Sequence, residues 1–259
     1  MSKVFCGTAE VSHEDFRKLA DTKPDFLVFK IKLSSYYHLV SELVNYLSEF
    51  EFQRAQNYHF EKDKNRFIIC RALLKFILAR NTSLDISEIH VETDENKKPY
   101  LSSHPSVYFN LSHAEDFAII TLSNTPVGID TEYVNRDFNY SEVLSYVFNT
   151  QEIDTLLNSD KKLHEFFKFW TRKEAIVKAT GAGISDNLLE IPARNGHHSI
   201  NSELLNGLKS LQVLSFELDE DYVASIAISD ENLNLDKLLI YNLPSSIEEL
   251  MAFSHLKTS

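Results

Sequence analysis

The sequence predicts an α+β fold made of two similar halves, residues 1–125 and 126–259, and three observations carry that expectation. The order strand, helices, strands runs through the chain twice. A turn cluster, Ser123-Asn124-Thr125-Pro126, lies between the two runs. Hydrophobic residues make up 43% of the chain against six glycines and six prolines, which suits a substantial core and leaves little for long linkers. No residue-level repeat joins the halves, so the expectation rests on element order.

Each element has its own signal. Residues 26–33 alternate bulky apolar side chains with lysines, the pattern of a half-buried strand. From Ser35 to Arg80 the pattern is helical, and in its last segment Phe67, Leu74 and Leu78 share one face while Arg66 and Lys75 reach outward. Short strands are expected at 88–93, 106–112 and 116–123. The second run opens with a strand at 127–132. Helices at 140–147, 150–157 and 161–179 follow, then strands at 210–218, 222–229 and 238–242. Residues 195–210 read as a surface excursion in which His197 and His198 are solvated, with no other ligand at metal spacing. The pattern leaves open whether the last segment, 245–259, docks on the body.

Composition excludes several classes. With 26 Lys and Arg against 38 Asp and Glu, the formal charge of −12 argues against a broad nucleic-acid footprint. Cys6 and Cys70 are the only cysteines and form no CxxC motif; Cys70 lies in an apolar run, as a buried thiol would. No apolar run approaches the roughly 20 residues of a membrane span, and the first residues lack a signal peptide's apolar stretch. A soluble cytoplasmic monomer, binding neither membrane nor nucleic acid, is expected.

The chemistry concentrates in two places. Asp130 and Glu132 are two apart on a predicted strand and point to the same face. Two carboxylates that converge repel unless a cation or proton lies between them, and hard oxygens suit Mg²⁺. Gly128 just before them lets another backbone come close. Taken alone, the pair reads first as a solvated strand end. The helix at 161–179 adds a stripe of Phe166, Trp170, Lys173 and Val177, with Glu174 and Lys178 one turn apart beside it and a Thr-Gly-Ala-Gly break after it. Glu174 can supply a third carboxylate and Lys178 an ammonium for a phosphate, although on a bare helix surface the two would be an ordinary ion pair.

These pieces, in this order, carry a family resemblance. Lys97-Lys98-Pro99 is similar to a Gly-Lys-Pro motif, and FNLSHA at 109–114 to FNxSHS. VGIDTE at 127–132 is similar to (I/V)GxDxE, and Phe148 with Glu152 to FxxxE. WTRKEA at 170–175, followed by Gly181-Ala182-Gly183, completes the set. From about Arg54 to Gly183 the chain resembles the Sfp-type 4′-phosphopantetheinyl transferase family. The resemblance implies two α+β halves related by a pseudo-twofold, with coenzyme A bound in the cleft between them. It implies Mg²⁺ on Asp130, Glu132 and Glu174, Lys178 on the coenzyme A phosphates, and Ser112 with His113 near the 3′-phosphate. Lys98 and Pro99 then flank the adenine, and Arg66 and Arg54 grip phosphate. Three departures bear on the cofactor pocket: Lys97 stands for the glycine of Gly-Lys-Pro, Ala114 for the last serine of FNxSHS, and Glu51 for a lysine of some members.

The implied reaction moves the phosphopantetheine arm of coenzyme A to a serine of an apo acyl or peptidyl carrier protein and releases 3′,5′-ADP. Glu174 is the first candidate for the base that takes the serine proton, and Glu132 the second. Because the chain is itself acidic, an acidic carrier is expected to dock on a local apolar patch, with Phe138, Tyr140, Leu144 and Tyr146 as its source. Two other readings explain the carboxylates alone: a metal-dependent phosphohydrolase or nuclease, and a non-catalytic relative that binds carrier or coenzyme A.

Overall fold

A computed structural model of the chain describes residues 1–19, 25–183, 187–230 and 237–255. Strands β1 (Ser2–Thr8), β2 (Glu10–Asp15) and β3 (Phe26–Lys32) come first. Helices α1 (Val40–Leu43), α2 (Glu49–Gln56) and the 22-residue α3 (Glu61–Thr82) follow, then a small hairpin of β4 (Glu92–Thr93) and β5 (Pro99–Tyr100), and β6 (Tyr108–Ala114) with β7 (Phe117–Ser123). Across the turn lie β8 (Val127–Tyr133), α4 (Leu144–Val147), α5 (Thr150–Leu157) and α6 (Lys162–Thr180). The chain goes on with β9 (Gly196–Ile200), β10 (Ser210–Asp219), β11 (Tyr222–Ile228), β12 (Lys237–Asn242) and α7 (Ile247–His255).

The expected α+β pair of halves is present, and the topology makes the repeat visible. In the first half β3 leads through α3 to the β6–β7 hairpin, whose second strand returns to pair antiparallel with β3. In the second half β8 leads through α6 to the β10–β11 hairpin, whose second strand pairs antiparallel with β8. The strand orders are β2-β12-β3-β7-β6 and β8-β11-β10-β1-β9. The outer strands of each sheet cross the sequence boundary. β1 joins the second sheet, parallel to β10, and β12 joins the first, parallel to both β2 and β3.

Helix α3 is the spine of the first half. Residues 68–81 are buried except for half-buried Arg71, so it is apolar nearly all round, as a helix enclosed on several sides must be. Lys75 therefore does not reach outward as its position on the wheel predicts. It is buried and ion-paired with Glu51 at 2.8 Å, in a chain segment where Glu51 also closes a capping box with Ser48 at the start of α2. The final segment docks: Leu250 and Phe253 of α7 are buried in the same core as Phe29 and Phe76, and residues 256–259 lie outside the described residues.

Other local expectations change. The strand at 88–93 shrinks to Glu92–Thr93: a 3₁₀ turn at Ile86–Glu88, closed by a box of Asp85 with Glu88, takes its first residue, and 89–91 run unpaired between the two. Residues 33–46 fold as short 3₁₀ and α turns and not as one helix. Residues 195–210 are not a surface excursion: they hold the edge strand β9 paired to β1, and Leu205 is buried. His197 in that strand stays exposed and packs on Phe5 with ring centroids 4.9 Å apart.

Candidate active site between the halves

The site is built on one close approach. A Cβ on Gly128 would lie 2.2 Å from the carbonyl oxygen of Ala175 and 2.3 Å from the amide nitrogen of Ala179. Only a residue without a side chain lets the backbone of α6 rest directly on β8. That contact brings Glu174 and Lys178 over the strand face that carries Asp130. The edge strand β6 abuts β8 on its other side, where the buried Asn110 side-chain oxygen accepts the Ile129 amide at 2.9 Å. Asparagine and serine of the FNLSH segment thus tie the two sheets together at the site.

Buried Asp130 is the hub. Its Oδ1 accepts from Lys178 Nζ at 2.6 Å and from Ser112 Oγ at 2.8 Å, and Lys178 Nζ also reaches Ser112 Oγ at 3.1 Å. Glu132 accepts the Trp170 indole N–H at 3.2 Å. Desolvation, and next the charge of Asp130, push the Glu132 carboxyl up to about 7. The same two causes raise Glu174. Asp130 Oδ2 and Glu174 Oε1 are buried with no hydrogen-bond partner.

Among the described residues no three His, Cys, Asp or Glu side chains are gathered closely enough to form a finished metal cage. The donor set nevertheless fits a hard cation: two orphaned buried carboxylate oxygens, and a third carboxylate that burial and a neighbouring negative charge make reluctant to ionise.

Two cavities meet at this point. The larger, about 710 Å³, runs between α3, the β4–β5 turn, β6 and α6. Arg54, Arg66 and Arg71 stand on one wall around Phe67, with the Arg54 and Arg71 guanidinium carbons 5.2 and 5.7 Å from its ring centre. His113, Lys97, Lys98, Pro99, Glu174 and Lys178 form other parts of the lining. The smaller, about 330 Å³, shares His113, Glu174 and Lys178 and adds Ser112, Asp130, Glu132 and Trp170. Partial desolvation, with the positive charge of Arg66 next, lowers the pKa of His113 although its surface is exposed to the cleft. An apolar cavity of about 470 Å³ adjoins through Glu132 and Trp170, with Phe138, Val143, Val147, Phe166 and Phe167 in its wall.

All of Asp130, Glu132, Glu174, Lys178, Ser112, His113, Arg54, Arg66, Lys98 and Pro99 line one or both of the first two cavities. Two of the cations are partly committed elsewhere. Arg66 pairs with Asp63 at 2.7 Å, and the Lys98 ammonium donates to the carbonyl of Ala179 at 2.5 Å. Arg71 escaped the sequence reading; it salt-bridges Glu51 at 3.3 Å and faces the larger cavity. Its signal was a cation interrupting the apolar run Phe67–Leu78, one turn from Phe67. Lys173 and Glu152, both inside family-like motifs, turn out to be structural: they form a fully buried ion pair at 2.8 Å. Arg172 is likewise consumed in the interior, donating to Ser215, Ala193 and Gly7.

Comparison with known proteins agrees with this geometry. Residues 126–227 match the model of the 4′-phosphopantetheinyl transferase superfamily, and residues 35–125 match that of a 4′-phosphopantetheinyl transferase N-terminal region. The chain belongs to the 4′-phosphopantetheinyl transferase superfamily. Among its relatives, the 4′-phosphopantetheinyl transferase psf-1 of Bacillus pumilus is 32% identical over 158 residues, 60% of this chain and 66% of that protein. The alignment thus spans just under two thirds of that relative's length. The 4′-phosphopantetheinyl transferase Sfp of Bacillus subtilis is 24% identical over 211 residues, 80% of this chain and 91% of that protein. The L-aminoadipate-semialdehyde dehydrogenase-phosphopantetheinyl transferase of Schizosaccharomyces pombe is 26% identical over 208 residues, 74% of this chain and 76% of that protein. The two matched regions abut at residues 125 and 126, at the foot of the strand that carries Asp130 and Glu132. Among the described residues no helix is long and apolar enough to cross a membrane.

Proposed function

We propose that the protein transfers the 4′-phosphopantetheine arm of coenzyme A to a serine hydroxyl of an apo acyl or peptidyl carrier protein and releases 3′,5′-ADP. The observation that carries this reading is the double position of Glu174 and Lys178. One turn of α6 serves both the cation-lined cavity, which suits a polyphosphate, and the carboxylate-lined one, which suits the chemistry.

In this reading the larger cavity takes coenzyme A. Arg54, Arg66 and Arg71 grip phosphate, His113 with Ser112 of the adjoining smaller cavity lies near the 3′-phosphate, and Pro99 with the stem of Lys98 lines the adenine side. Asp130, Glu132 and Glu174 would hold Mg²⁺, whose charge would neutralise the diphosphate. Lys178 turns from Asp130 to the phosphate oxygens and stabilises charge on the leaving side. The serine oxygen forms the new bond to the β-phosphorus as the bond from that phosphorus to the 3′,5′-ADP oxygen breaks. Glu174 takes the serine proton; its buried, partnerless oxygen and raised pKa suit a base, and Glu132 is the alternate. Positioning supplies most of what remains.

The carrier approaches over the apolar cavity beside Trp170. Phe138 is exposed in its wall and Tyr146 is exposed on α4, while Tyr140 and Leu144 are half-buried against the Phe166 cluster. A cytoplasmic monomer that binds neither nucleic acid nor membrane completes the reading, supported by the net charge of −12. The test is mass spectrometry of several apo-carriers incubated with the enzyme, coenzyme A and Mg²⁺. The expected result is a gain of one phosphopantetheine on at least one carrier. Release of free phosphate from coenzyme A with no carrier modified would overturn the reading in favour of a phosphohydrolase.

A further inference from the structure

Helix α6 ends in an unusual set of partners. Gly181 sits at its C-terminus with φ +67°, and the last turn leaves carbonyls with no helical donor. Three consecutive ones are taken by side chains from elsewhere. Ala179 O accepts from Lys98 Nζ at 2.5 Å, Thr180 O from Asn206 Nδ2 at 3.2 Å, and Gly181 O from Asn96 Nδ2 at 2.7 Å. Two of the three donors, Asn96 and Lys98, belong to the other half of the molecule.

The turn that presents them is itself fixed. The Asp94 carboxylate accepts the amides of Asn96 and Lys98 at 2.9 and 2.8 Å. The Asp94 amide donates to the Lys98 carbonyl at 3.0 Å and the Lys97 amide to the Asp94 carbonyl at 2.9 Å, closing the β4–β5 hairpin. Lys97 adopts φ +65°, a left-handed conformation that is costly for a non-glycine residue and that turns its two neighbours towards α6. A cation at a helix C-terminus is also favoured by the aligned peptide dipoles. Lys98 is thus held at a helix end by its charge, with the residue next to Ala179 being Lys178 and Glu174 lying one turn further back.

We propose that Asn96 and Lys98 are positioning residues for the transfer reaction: they act through the C-terminus of α6 to set the depth of Lys178 and Glu174 in the cleft. This assigns the Lys98 ammonium to the helix and not to the ligand, and it rests on the transferase reading above. The turn is a strut from the first half to the helix that carries the chemistry of the second. Its removal lets the last turn of α6 fray, so Lys178 and Glu174 lose alignment, while the phosphate-gripping wall of Arg54, Arg66 and Arg71 is untouched.

The test compares wild type with Lys98→Met, Lys98→Arg and Asn96→Ala, using full-length protein. Three quantities are read: kcat and KM for coenzyme A, the affinity for 3′,5′-ADP by calorimetry, and amide hydrogen exchange over residues 177–183. The expected result is a fall in kcat of about tenfold or more in Lys98→Met and Asn96→Ala, since misplacement of about 1 Å can cost up to ~10²-fold. The 3′,5′-ADP affinity stays near wild type, exchange at Thr180 and Gly181 quickens, and Lys98→Arg recovers most of kcat. Weakened 3′,5′-ADP binding with kcat intact would overturn the proposal by making Lys98 a ligand contact. Unchanged exchange in both Lys98→Met and Asn96→Ala would overturn it as well. A wild-type protein that transfers nothing would sink the transferase reading alone, because the exchange measurement still reports whether the strut holds the helix.

Discussion

Gly128→Ala tests how closely the site depends on one backbone contact. The added methyl would meet the Ala175 oxygen at 2.2 Å and the Ala179 nitrogen at 2.3 Å, where ordinary contact begins near 3.4 Å, so strand and helix must part by about 1 Å. The atoms in the way are backbone, and neither can swing aside. Overpacking of this kind typically costs 1–3 kcal/mol, and a contact so deep in the van der Waals wall places the loss at about 3 kcal/mol or above. The displacement falls on the turn that carries Glu174 and Lys178, and a misplacement of about 1 Å at reacting groups is worth up to ~10²-fold in rate. The expected result is a lowered urea midpoint together with a loss of kcat that persists at temperatures where the variant is fully folded. Steady-state transfer to an apo-carrier reads the rate, and circular dichroism reads the folded fraction. A variant with wild-type midpoint and at least half of wild-type kcat would refute the claim that helix and strand meet at Gly128.

Three further outcomes follow from the same geometry. Asp130→Ala and Glu174→Ala abolish transfer while leaving the far-ultraviolet spectrum unchanged: each carboxylate has a buried oxygen with no partner, and the Lys178 and Ser112 that Asp130→Ala releases line the smaller cavity, where water can replace the lost oxygen; turnover near wild type in either would remove them from the site. Lys173→Met leaves Glu152 buried without its cation, a change that typically costs 3–5 kcal/mol. Glu152 keeps the amides of Asn149 and Ala193, so about 3 kcal/mol is expected in the denaturation midpoint, and a shift below about 1 kcal/mol would contradict the buried pair. Burial lowers the Lys98 pKa to about 8 in the folded protein from its ordinary 10.5. Between those values the unfolded chain binds the proton that the folded one has released, so this group makes stability rise with pH across that window. Denaturation midpoints taken from about pH 7.5 to 10 should lose part of their upward slope in Lys98→Met, and an unaltered slope would place Lys98 in solvent.

Local pattern was enough for the centre of the site and not for its frame. Asp130, Glu132, Glu174 and Lys178 were legible because a strand's period of two and a helix's period of 3.6 fix which side chains share a face, and Gly128 announced the close approach. Lys173 illustrates the limit. Its place on the apolar stripe was visible, but the reason, a partner 21 positions away in Glu152, depends on tertiary packing. Lys75 went astray for the same reason, its counter-charge lying on another helix. Lys98 lines the larger cavity, yet nothing in the order of residues tells that its ammonium ends on the carbonyl of Ala179. Strand β1 shows an alternation of buried Ser2, Val4 and Cys6 that could have been read as a strand, but its partner is Ser210–Ser215, too distant for any local signal to select.

The crossed outer strands have a consequence for how the molecule can come apart. Because β1 lies in the second sheet and β12 and α7 lie on the first, each half is completed by chain from the far side of the 125/126 junction. A nick there would not release two independent bodies. It would leave two fragments, each missing strands of its own sheet, able to regain their shape only by re-forming the pair. The protein should accordingly melt in one step and refold from two separately expressed pieces only when both are mixed. The same interlacing couples the two walls of the cleft, so a hinge motion between the halves would have to strain both sheets.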